Sequence, residues 1–63
     1  MSDEERELAA IDTGYTAELS GMFQTMFINA DTDGVEIAGA RFEKGLKILR
    51  EARQKAIEIV KKT

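Results

Sequence analysis

The chain has 63 residues, room for one small domain, and contains no Cys, His, Pro or Trp. Without thiols or imidazoles it has neither disulfides nor the usual zinc and haem ligands, so a fold this small relies on regular helix packing or on oligomerisation. Its net charge of −3 hides a split: Met1–Ile37 holds one base against nine acids, net −8, whereas Ala38–Thr63 holds eight bases against three acids, net +5.

Ser2-Asp3-Glu4-Glu5 reads as a capping box, with Ser2 at the N-cap and Glu5 three residues on. The acids that follow suit the positive end of a helix dipole. Leu8, Ile11, Tyr15, Leu19, Met22, Phe23 and Met26 then recur at three- and four-residue steps, within an arc of about 120° on a helix. The spacing predicts an amphipathic helix over about 3–28. Gly14 and Gly21 each oppose it by roughly 1 kcal/mol. Asp12-Thr13-Gly14 offers a competing break, and a continuous helix is the expectation.

Asn29-Ala30-Asp31-Thr32-Asp33-Gly34 is the one cluster of turn formers, predicting a turn over 29–34. Asp33, with Glu36 three residues later, predicts the N-cap of a second helix. The same segment resembles the opening of an EF-hand loop: Asn29, Asp31 and Asp33 fall at its first, third and fifth positions and Gly34 at its sixth. The likeness covers six residues only. The twelfth position, which supplies the bidentate Glu, is Ala40, and Glu36 stands where an apolar residue belongs. Asn29, Asp31 and Asp33 are therefore weak metal candidates, and no metal or other cofactor is expected.

From Val35 the pattern is helical to about residue 62. Val35, Ala38, Phe42, Leu46, Leu49, Ala56, Ile57 and Val60 make one stripe, and Arg53 falls at its centre. Arg53 is expected to run its stem along the stripe and pair with an acid such as Glu7. Glu43–Lys47, Glu51–Lys55 and Glu58–Lys62 have the favourable i,i+4 order, and Lys61 and Lys62 suit the negative helix end. Two helices of similar length joined by a short turn predict an all-α, antiparallel two-helix hairpin, a single domain spanning 1–63. In that arrangement the acidic and basic halves lie side by side.

A second apolar set exceeds what one hairpin can cover. Ile37, Ile48 and Ile59, spaced by eleven, widen the apolar arc of the later helix towards about 200°, twice the width a single stripe needs. Gly14 and Gly21, with Ala10 and Ala17, lie roughly opposite the large residues of the first helix. Gly45 repeats at seven with Ala38 and Ala52, and small residues at that spacing let helices approach closely. Gly14, Gly21, Ile37, Gly45, Ile48 and Ile59 are the candidate self-association residues, and a homodimer forming a four-helix bundle is the expected assembly.

Function is legible only as a class. No catalytic constellation and no phosphate-cradling glycine loop is present, so no enzymatic activity is expected. The expectation is a self-associating, non-enzymatic protein–protein interaction module, an adaptor, assembly or regulatory subunit. Met22, Phe23, Met26 and Phe27 form a candidate patch for a protein partner, methionine being adaptable at binding surfaces. The basic outer surface of the later helix (Arg41, Lys44, Lys47, Arg50, Lys55, Lys61 and Lys62) gives a nucleic-acid-binding alternative. In hairpin length and assembly it is similar to small plasmid copy-number regulators that bind paired RNA loops, a likeness of architecture alone. The acidic total and interleaved glutamates weigh against nucleic acid, and a calcium-responsive hairpin is the remaining alternative. No apolar run approaches membrane-spanning length, and a cytoplasmic protein is expected.

Overall fold

The computed structural model describes residues 2–63. It is all-helical: α1 spans Asp3–Asp33 and α2 spans Val35–Lys62. Asp33 meets Arg41, Met22 lies over Gly45, and Asp12 meets Arg53. As the α1 member of these pairs falls in number the α2 member rises, so the helices pack antiparallel.

Helix α1 starts as its sequence predicts. Ser2 Oγ accepts a hydrogen bond from the Glu5 N–H at 3.2 Å, which satisfies one of the free amides of the first turn. The helix does not break at Asp12-Thr13-Gly14. Thr13 donates its hydroxyl to the Ala9 carbonyl at 3.0 Å, as a residue inside a helix does, and caps nothing.

The turn expected over 29–34 shrinks to one residue. Asn29 through Asp33 continue α1, and Gly34 alone, at φ 92° and ψ 154°, reverses the chain. That conformation is essentially confined to glycine. The Gly34 N–H donates to the Ala30 carbonyl at 3.0 Å, and its own carbonyl accepts from the Ala38 N–H at 3.1 Å. One peptide unit on each side thus closes α1 and opens α2, and a looser turn would leave those groups to water. The propensity of Asn, Asp and Thr for turns is worth only tenths of a kcal/mol each, too little to stop a helix whose half-buried Asn29 and Ala30 face α2.

Asp33 is correspondingly not an N-cap. The cap position of α2 is Gly34, which has no side chain to offer, and Asp33 instead accepts from Arg41 at 3.0 Å. This pair bridges the closed end, setting a cation against the negative pole of α1, whose last turn carries no base.

The predicted stripes face one another. Leu8, Ile11, Tyr15, Leu19, Met22 and Met26 of α1, and Phe42, Leu46, Leu49, Ala56, Ile57 and Val60 of α2, are half-buried. Phe23 and Val35 were expected among them but are exposed, because each sits at the flank or end of its stripe, where a single partner helix gives no cover. Ala38, at 1% exposure, is the one fully buried residue among those described.

Arg53 crosses the hairpin as expected, with a different partner. Its guanidinium donates to Asp12 at 3.1 Å and lies 4.9 Å from the centroid of the Tyr15 ring. Glu7 is five residues, about 7.5 Å, too far along α1. The three i,i+4 Glu–Lys pairs of α2 are not among the ion pairs of the described residues. Each would be worth only about 0.2–0.5 kcal/mol, less than the rotamer entropy of ordering a free lysine. Arg53→Ala is expected to lower hairpin stability by about 1 kcal/mol, combining an exposed ion pair with one cation–π contact. Thermal melts of the variant and of Asp12→Asn check it; Asp12→Asn should show the smaller loss.

Candidate functional site

The hairpin is a single layer of helix, with principal extents of 46 × 17 × 8 Å over its Cα atoms. Its radius of gyration is 14.7 Å, against about 11 Å for a compact domain of this length. Both broad faces are therefore open, and the candidate residues distribute over them.

One face carries a groove of about 450 Å³ between the helices. Glu18, Gly21, Thr25 and Asn29 of α1 form one bank, Arg41 and Gly45 of α2 the other, and Met22, Met26 and Phe42 the floor. Helical periodicity puts Ile37, Ile48 and Ile59 on the same face, along the α2 bank beside Arg41 and Gly45. They are 51%, 60% and 54% exposed. Gly14 joins Gly21 on the α1 bank.

The three candidate glycines separate. A Cβ on Gly14 or Gly21 would meet nothing within 4 Å, so both look outward. A Cβ on Gly45 would lie 2.8 Å from Met22 Cε, so Gly45 belongs to the contact between α1 and α2 rather than to the hairpin's outside. Its absent side chain is what lets the methionine cross. Gly14→Ala and Gly21→Ala should each raise hairpin stability by about 1 kcal/mol, since Ala removes the helix penalty at no steric cost. Gly45→Leu should lower it by about 1–3 kcal/mol through overpacking. Urea unfolding of the three variants, at dilutions where the chain is monomeric, reads these opposite signs directly.

The methionine and phenylalanine patch also divides. Met22 and Met26 are half-buried in the groove floor. Phe23 and Phe27, the latter 70% exposed, turn to the outside of α1, where they meet Gln24 and Ile28 around a shallow depression of about 380 Å³. Ile28 lies outside the predicted patch of Met22, Phe23, Met26 and Phe27, and its place in this depression comes from the structure.

Asn29, Asp31 and Asp33 do not converge. On a helix, residues two apart point about 160° away from each other, so Asp31 opposes the other two. Asp33 is engaged by Arg41. The loop that would wrap a cation is a helical turn here, and no cluster of three His, Cys, Asp or Glu side chains with metal-holding geometry occurs among the described residues. Among the described residues no helix is long and apolar enough to cross a membrane.

The structure thus defines an all-helical two-helix hairpin with one strongly apolar open face. A search for similar proteins finds no matching family model, curated protein or solved structure.

Proposed function

We propose that the chain is a non-enzymatic, cytoplasmic protein–protein interaction module that works as a self-associated assembly or regulatory subunit, two hairpins forming a four-helix bundle. The observation that carries this reading is the uncovered isoleucine face. A 7.0 kDa globular monomer exposes about 4,000 Å². This hairpin exposes 5052 Å², an excess of about 1,000 Å². A standard protein interface removes about 800 Å² from each partner, so one second copy would absorb the surplus.

Burial within the hairpin supports the same reading. One alanine as the only fully buried residue among those described is a thin core for a lone domain, and the chain has no cysteine to staple it. Tyr15, the only tyrosine, lies under the Arg53 guanidinium in the helix contact, a structural use of the ring.

Sedimentation equilibrium at micromolar concentration tests the proposal, with a mass of twice the chain expected. A stable monomer that melts cooperatively would refute self-association. The exposed Phe23–Phe27–Ile28 cluster would then favour the second reading, an adaptor that docks a different protein on the back of α1.

A further inference from the structure

Resting on self-association, we infer how the second copy docks: its twofold axis runs along the hairpin, so that each α2 lies antiparallel on the partner's α1. Two closed arrangements can bring the isoleucine faces together. With the axis along the helices, α2 covers α1 of the other copy. With the axis across them, α1 covers α1 and α2 covers α2.

Charge separates the two. Within its bounds α1 carries eight acids and one base, and α2 carries eight bases and four acids. The axial arrangement opposes unlike helices throughout, whereas the transverse one stacks acid on acid and base on base. Like-charge apposition is the costly case at an interface, and unlike charges set the register. The groove follows the same rule, because its acid, Glu18, comes from α1 and its base, Arg41, from α2.

Shape agrees with charge. The contacts Met22–Gly45 and Asp12–Arg53 fix the levels of the two helices. By those levels Ile37 lies across from Ala30, Ile48 from Leu19 and Ile59 from Leu8. An axial twofold preserves these levels in the partner. Ile48 then seats beside Gly14 and Gly21, at neither of which would an added Cβ meet a neighbour within 4 Å, with Glu18 on the bank next to it. Ile59 reaches the shallow depression formed by Asp3, Arg6, Glu7 and Ala10, and Ile37 comes to the level of Asn29 and Ala30. Lys55 and Lys62 are carried to the acidic start of the partner's α1. The transverse arrangement would instead set Ile48 against Ile48 and leave the glycine gaps facing each other.

The chain has no native cysteine, so introduced thiols report proximity without background. Gly21→Cys and Ile48→Cys chains are prepared separately, mixed, allowed to exchange and oxidised, and a second mixture uses Thr25→Cys with Arg41→Cys. Far-ultraviolet circular dichroism confirms that each variant is helical. The expected product in both mixtures is a reducible species of twice the 7.0 kDa chain mass that joins one variant to the other. Ile48→Cys linking mainly to itself, or no mixed product from either pair while the unsubstituted chain sediments as a dimer, would overturn the axial docking but leave self-association standing. A monomeric unsubstituted chain would remove both.

Discussion

Gly34→Ala is expected to unfasten the hairpin while leaving its helices intact. At φ 92° and ψ 154° an alanine costs about 1–3 kcal/mol. A domain of this size has only about 3–9 kcal/mol in total. Alanine is also the best helix former, so the strain is relieved by letting the joint become helical. The two helices would then run on as one rod of about 90 Å, roughly double the present 46 Å length. Small-angle scattering should show the elongation, and circular dichroism should show undiminished helix at low temperature. For molecules that stay folded back, the melting temperature should fall by about 10 °C, taking about 4–8 °C per kcal/mol for a domain this small. Unchanged dimensions together with an unchanged melt would show that Gly34 is not the required joint.

Ile48→Glu is expected to dissociate the assembly without unfolding the hairpin. Ile48 is 60% exposed in the hairpin, so its loss removes little from the contact between α1 and α2. In a twofold assembly the change counts twice. Burying an isoleucine is worth about 1.5–3 kcal/mol, so two copies give about 3–6 kcal/mol, roughly two to four powers of ten in the dissociation constant. A carboxylate in an apolar contact adds a desolvation cost. Sedimentation equilibrium across a concentration series should show monomer where the unsubstituted chain is dimeric. If association is unchanged, the isoleucine face is not the interface. If helix content collapses even at high protein concentration, Ile48 serves the hairpin itself.

Much of the hairpin can be read from the residues. The three- and four-residue recurrence of Leu8 through Met26, and of Phe42 through Val60, identifies the inward faces because a helix repeats its side-chain directions on that period. The ends of each stripe are harder. Phe23 and Val35 satisfy the period but not the cover, since cover depends on where the partner helix lies. The joint differs from its expected length for a related reason. Asn29–Asp33 have the composition of a turn, yet reversing a chain needs only one residue outside the right-handed region, and Gly34 provides it. Whether the preceding five stay helical depends on contacts from α2, which local propensity does not contain.

The candidate site divides along the same line. The exposed isoleucines were legible as an apolar excess, because eleven-residue spacing keeps them on one side of a helix. The role of Gly45 was not, since an inward glycine and an outward one look alike until the crossing level of Met22 is known. Arg53 shows the limit for charge. Its need for an acid is plain from its place in an apolar stripe, but the choice of Asp12 over Glu7 rests on an axial offset of about one and a half turns, and only a register between helices supplies that.

Ala38 lies four residues beyond the joint, and the Asp33–Arg41 bridge spans the same end. The tightest part of the molecule is therefore also the part with the shortest chain between its contacts. Closing it costs the least loop entropy, and each later contact closes only a few more residues. Folding is accordingly expected to proceed as a zipper outward from the joint, in the fast regime of low contact order. The far ends of the two helices, at Asp3 and Lys62, are then expected to join last and to show the lowest protection in hydrogen exchange.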